Sequence, residues 1–241
     1  MNTTQKTVGE LAVEFPNATR VFERVGIDYC CGGHRSLRDA CMKAGVAVSD
    51  ITGSLEQSAT AGSEEQTLNF SAIPLTELIN YVIERHHSFT KTEVQRLGLL
   101  IDKVWEEHHS MHLELTQLRT QFHSLRSELE PHMLKEECVL FPYIRRMHQA
   151  IEDHHLISTP PFRTVTNPVH MMTIEHDAAD YLLQQMRRIT SNYTAPPDAC
   201  PSHKSLYEAL ENLEQDLHQH IHLENNILFP RAQEMEIGLL I

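Results

Sequence analysis

His132-Met-Leu-Lys-Glu136-Glu-Cys-Val-Leu140-Phe141-Pro142 and His220-Ile-His-Leu-Glu224-Asn-Asn-Ile-Leu228-Phe229-Pro230 share one pattern, H-x-x-x-E-x-x-x-L-F-P. Residues four apart on a helix lie on one face, one turn apart. Each copy therefore aims an imidazole and a carboxylate the same way, as a two-ligand jaw. Two jaws facing each other in a bundle core hold two metal ions. Chance surface His–Glu contacts would not explain Leu-Phe-Pro following both times at the same distance. The Leu and Phe read as core packing, and each Pro is expected to kink or end its helix.

Working outward, His87, His132, His176 and His220 are spaced 45, 44 and 44 residues apart. Four antiparallel helices with these residues at one level would turn near each midpoint. Residue 198 sits in Ala195-Pro-Pro-Asp-Ala-Cys-Pro-Ser202, and residue 154 in Asp153-His-His-Leu-Ile-Ser-Thr-Pro-Pro161, both rich in helix breakers. The third midpoint falls near Ser110, an expected N-cap. About 22 residues from core to turn span about 33 Å. The fold class is therefore all-α, a four-helix up-down bundle. Pro74 opens it, and Leu75, Leu78, Ile79, Val82 and Ile83 give its first apolar stripe. Residues 74–150 and 168–235 read as an internal duplication.

His176, after Glu175, would alone be read as a core histidine; its spacing makes it a ligand. His86 and His87 point about 100° apart. The stripe through Ile79, Val82 and Ile83 leans to His86, while spacing leaves the two nearly equal. Pro131 is expected to kink the helix just before His132. His108, His109 and His112 are expected to be solvated at a turn. His218 and His222 sit on other faces of the second jaw's helix, and Glu137 is expected to point away. His123, His148, His154, His155, His170 and His203 belong to no pattern. Four imidazoles and two carboxylates without thiolate argue against structural zinc. A diiron pair leads, with dimanganese and iron–zinc as alternatives.

Residues 1–52 read as a small helical domain preceding the bundle, with a Thr7/Glu10 capping box. Asn17 is expected to cap a helix closed by Gly26, and Ser36 one closed by Gly45. Between them, Gly26-Ile-Asp-Tyr-Cys-Cys-Gly-Gly-His34 carries adjacent Cys30 and Cys31. Adjacent α-carbons are about 3.8 Å apart, short for a disulfide, so a bridge there would be strained and easily reduced. Cys41, Cys138 and Cys200 read as ordinary residues. Residues 53–70, small, polar and acidic, read as a linker, and 71–241 as the bundle domain.

A net charge of −13 over 241 residues speaks against nucleic acid and anionic membranes as partners. No apolar run is long enough to cross a bilayer. The first residues lack an apolar signal core, and five cysteines do not form a secreted disulfide framework. A cytoplasmic location is expected.

Asp28-Tyr-Cys-Cys-Gly-Gly33 together with the two jaws resembles the RIC (repair of iron centres) family over most of the chain. The resemblance implies a haemerythrin-like bundle holding two iron ions, a non-haem diiron pair with an oxygen bridge. The implied ligands are His87, His132, Glu136, His176, His220 and Glu224; the family pattern selects His87 over His86. It implies a stress protein that repairs iron–sulfur clusters damaged by nitric oxide or peroxide, with iron donation as the route and damaged iron–sulfur proteins as partners. Cys30 and Cys31 would act as a redox or iron relay. Competing readings are a nitric oxide reductase, which would make the protein an enzyme, and a haemerythrin-like carrier or sensor of O2 or NO. A homodimer through the small domain is a further expectation. A ferritin-like oxidase would need two E-x-x-H motifs; Glu84-Arg-His-His87 supplies one, but Thr173 stands where the other requires Glu.

Overall fold

A computed structural model describes residues 5–15, 17–60 and 69–239. Among these, secondary structure is helical apart from one antiparallel bridge, Thr7 to Ser36. The small domain contains α1 (Val8–Glu14), α2 (Ala18–Val25), α3 (Leu37–Ala44) and α4 (Val48–Thr60). The Thr7/Glu10 box caps α1, and the Ser36 hydroxyl accepts from Asp39 N to cap α3. Gly26 and Gly45 close α2 and α3 at φ 70° and 71°, a left-handed conformation that other residues enter at a cost. Leu11, Phe22, Leu37, Ile51 and Leu55 form the core.

The expected linker starts too early, because residues 53–60 belong to α4. Ile51 and Leu55, one turn apart, bury themselves in the small core and carry the polar residues between them into a helix. Residues 61–68 of the expected linker lie outside the described residues.

The bundle has four rods, as the sequence implies. α5 (Leu75–Tyr81) continues through a π turn, Val82–His87, into α6 (Ser88–His108). α7 (Glu114–Lys135) continues through Glu136–Leu140 into α8 (Phe141–Glu152). α9 (Thr166–Ile189) is α-helical throughout, and α10 (Pro201–Leu223) continues through Glu224–Leu228 into α11 (Phe229–Leu239). The connections fall at the three midpoints. However, α7 starts after Leu113 rather than Ser110, because the chain makes an extra turn in which Met111 N and His112 N both donate to His108 O.

Pro131 does not end its helix: α7 runs through it to Lys135, with the ring exposed on the solvent side, where water can satisfy the freed carbonyl. Pro142 and Pro230 fall in the first turn of α8 and α11, each just past a π turn. A proline cannot donate to the carbonyl four residues back. The π turns widen the ladder there, with Phe141 N donating to Glu136 O and Phe229 N to Glu224 O, five residues back.

The core is split in two. One apolar slab includes Leu97, Ile101, Phe122, Leu183 and Leu210; the other includes Leu78, Val82, Phe141, Met172 and Phe229. The jaws lie between them. No described helix is long and apolar enough to cross a membrane.

Candidate metal centre

The π turns place the candidate ligands. Val82–His87 ends at His87, and the other two begin at Glu136 and Glu224. A single inserted residue rotates the rest of the helix by about 100°. That phase slip explains why the stripe leading from Leu75 leans to His86 while His87 is the one that faces the jaws. His86 is also buried, but its Nδ1 donates to Asp216 Oδ2 at 3.1 Å and its ring stacks on that of His220.

His87, His132, Glu136, His176, His220 and Glu224 converge between the slabs, none more than 4% exposed. They form two groups able to hold a metal ion: His87 with His220, and His132 with His176, both sharing Glu136 and Glu224. His87 Nε2 lies 3.1 Å from His220 Nε2, and His132 Nε2 lies 3.0 Å from His176 Nε2. Two donors about 2.1 Å from one ion at right angles are roughly 3 Å apart, so each imidazole pair fits one ion. Both oxygens of Glu136 and of Glu224 are buried without a hydrogen bond. The charges facing them are the imidazoles: Nε2 of His87 and His132 lie 3.4 and 3.3 Å from Glu136, and Nε2 of His176 and His220 lie 3.2 and 3.1 Å from Glu224; carboxylates at this depth need such a compensating cation, a role a metal ion would take over. No cysteine joins either group.

Burial pushes the Glu136 carboxyl up, as does Glu224, but His132 and His87 outweigh them and hold it at about 2. Glu224 is likewise held well below the usual carboxylate range, burial being outweighed by His220 and His176. Burial opposes charge on His132, yet Glu136 and Glu224 raise it to about 9. Both carboxylates are thus anionic at neutral pH, and a bound cation would displace protons from the imidazoles.

The outward nitrogens are held too. His87 Nδ1 donates to Glu137 Oε1 at 2.7 Å, His132 Nδ1 to Glu175 Oε2 at 2.8 Å, and His176 Nδ1 to Asn225 Oδ1 at 2.9 Å. Such bonds fix the tautomer, so that Nε2 presents its lone pair inward. Glu137 therefore does not point away. It and Asn225 hold equivalent places, each next after the jaw carboxylate and each holding an imidazole from a neighbouring rod. Aligning the two jaws at that next position was the signal available in the sequence.

The small domain docks on the second jaw. Asn226 Nδ2 donates to Tyr29 O at 3.1 Å and Asn225 Nδ2 to Cys30 O at 3.4 Å. A Cβ on Gly33 would lie 2.7 Å from Asn226 Oδ1, so only glycine allows this approach. Asp28 Oδ1 accepts from Cys31 N and Gly32 N and folds the cysteine turn. Cys30 and Cys31 carry free thiols. They wall a cleft of about 520 Å³ with His34, His170, Thr173 and Asn225. His222 is buried against the Tyr29 ring, and His218 donates from Nδ1 to Glu23.

Cys30 Sγ, Asp180 and His218 form a third convergent group. The Cys30 thiol is pushed well up by its contact with Cys31, by burial, and by Asp28 and Asp180. Burial, Asp28 and Glu214 push Asp180 up to about 6, against the pull of His218 and Gln184. For an acid raised in the folded state, stability is full below the unfolded value of 3.8 and is lost as pH rises through about 6. Asp180→Asn in metal-free protein should therefore change little at pH 4 and stabilise at pH 7, by at most about 3 kcal/mol. Urea unfolding at both pH values checks this; a variant no more stable than wild type at pH 7 would contradict it.

At the opposite end of the bundle, His112 is buried and His108 half-buried, contrary to the expectation of solvation, while His109 is exposed as expected; His203, which belonged to no pattern, is buried beside them. The tight α6–α7 turn packs His108 and His112 against the start of α10, placing them near His203.

A helical bundle whose core joins four imidazoles and two carboxylates defines a haemerythrin-like, cation-binding protein. Residues 78–232 match the haemerythrin HHE cation-binding domain family, and residues 4–59 match a family described as a domain of unknown function, DUF542. The chain is 35% identical over 225 residues, 93% of its length and 95% of the relative's, to the "Iron-sulfur cluster repair protein YtfE" of Salmonella schwarzengrund (strain CVM19633). It is 34% identical over the same shares to the protein so named in Salmonella newport (strain SL254). The chain belongs to the YtfE family, the RIC family that its motifs resemble.

Proposed function

We propose that this centre would hold two iron ions, one by His87 and His220 and the other by His132 and His176, with Glu136 and Glu224 available to both, and that the protein repairs damaged iron–sulfur clusters by donating iron. The observation that carries this reading is the pair of donor groups sharing both carboxylates. Nitrogen and oxygen donors without sulfur suit a redox-active borderline metal rather than structural zinc. The relatives' name, iron–sulfur cluster repair protein, supports the functional half.

Bound iron would supply Fe(II)/Fe(III) cycling and open positions for a small ligand. The protein's own residues do the rest. Glu137, Glu175 and Asn225 orient three imidazoles. Asn225 also reaches Cys30 O, so ligand His176 is one side chain from the cysteine cleft. Cys30, Asp180 and His218 then offer sulfur, oxygen and nitrogen donors to an outgoing iron. A thiol crowded by carboxylates stays protonated until a cation arrives, which suits a transient stop rather than a permanent site.

The test is transfer: iron-loaded protein mixed with an acceptor stripped of its cluster should lose iron as the acceptor regains it. Retention of both irons would overturn donation. Nitrous oxide formed from nitric oxide and reduced protein, with both irons kept, would favour turnover instead.

A further inference from the structure

The far end of the bundle carries a second group of metal-ligating side chains, separated from the jaws by the slab around Leu97, Phe122 and Leu210. His108 ends α6, 21 residues and about 30 Å along its rod from His87. Ligand atoms of Glu107, His108 and Cys200 all lie within 4.8 Å of one another. His108 Nε2 is 3.1 Å from Cys200 Sγ and 3.7 Å from Glu107 Oε2. Donors around one tetrahedral ion are about 3.5 Å apart at ordinary zinc distances, so these three need only small movements to share an ion.

A buried imidazole stands beside this group, although its ring nitrogens are not among the donors within 4.8 Å of one another and would have to turn inward to join them. His203 is fully buried, yet neither ring nitrogen has a hydrogen-bond partner. Its ring lies 6.1 Å from that of His108 and 5.2 Å from that of His112. Its backbone N donates to Cys200 Sγ, which caps α10, so the thiol and this imidazole are already tied together at a helix N-terminus.

We propose that His108, Cys200 and Glu107, with His203 as the further imidazole, form a second site for one divalent cation of the zinc class. One sulfur, two imidazoles and a carboxylate make a mixed set that zinc accepts, unlike the sulfur-free jaws. An ion there would clip the α6–α7 turn to the start of α10. It would lock the end of the bundle opposite the small domain.

Cobalt(II) titration of the metal-free full chain tests this, because a thiolate-to-cobalt charge-transfer band arises only where sulfur is a ligand. The band should appear, persist in Cys30→Ser/Cys31→Ser, vanish when Cys200→Ser is added to that double variant with helicity unchanged, and bleach on adding zinc. His203→Ala should weaken the cobalt binding that it reports by roughly tenfold or more. No band in Cys30→Ser/Cys31→Ser, a band surviving Cys200→Ser in that background, or undiminished affinity in His203→Ala would overturn the proposal. The jaws contribute no sulfur, so their state does not confuse the readout.

Discussion

Glu136→Ala/Glu224→Ala should empty the haemerythrin-like centre while leaving the bundle folded. Both donor groups share both carboxylates, so the double change removes two ligands from each. Losing a partner that merely orients a ligand already costs about 10–100-fold in metal affinity; losing the ligands themselves should cost more than about 100-fold. The metal-free fold should not suffer in the same way. Both carboxylates are 0% exposed and face the imidazoles, His132 Nε2 lying 3.3 Å from Glu136 and His220 Nε2 3.1 Å from Glu224; in the metal-free variant those imidazoles shed their protons, so no unpaired charge is left buried. Bound metal stabilises by mass action, so wild type should melt higher with iron than without, and the variant should melt at one temperature in both conditions. Metal analysis and thermal melting check the two halves. A variant that keeps its metal would remove Glu136 and Glu224 from the centre.

Cys30→Ser/Cys31→Ser should do the converse. No sulfur joins the jaws, so iron content and spectrum should match wild type. Transfer to an acceptor should fall at least about tenfold, the scale on which loss of one supporting donor acts on a metal site. Serine preserves the size of the turn and leaves the Asp28 bonds to Cys31 N and Gly32 N available, since those are to backbone. A fall in transfer would therefore report lost thiol chemistry rather than a lost turn. Unchanged transfer would remove the cysteine pair from the route and leave the cleft as a passage for small ligands.

The two changes separate holding iron from passing it on. The geometry permits the separation: jaws and cysteines touch through one residue, Asn225, whose Oδ1 holds His176 and whose Nδ2 reaches Cys30 O. The first jaw has no counterpart to this docking among the described residues. Cys138, which stands where Asn226 stands in the second, is exposed. The two jaws thus differ where the small domain sits.

Much of this was legible in the amino-acid sequence. A motif recurring at helical spacing specifies side chains on one face of one rod, and near-equal intervals between four histidines set rod lengths and turn positions. Capping residues Thr7, Ser36, Gly26 and Gly45 act within a few residues of themselves, and the structure keeps all four. Three things depended on packing. The π turn at Val82–His87 slips the helical phase by one residue, and no periodicity counted in a single helical frame anticipates that. Glu137, Glu175 and Asn225 act on imidazoles of other rods, so their roles exist only once the rods are side by side. His108, Cys200 and His203 are scattered in sequence and meet because a turn folds over the start of a helix. Local patterns are written along the chain; the partners of a buried polar atom are set by what lies across from it in space.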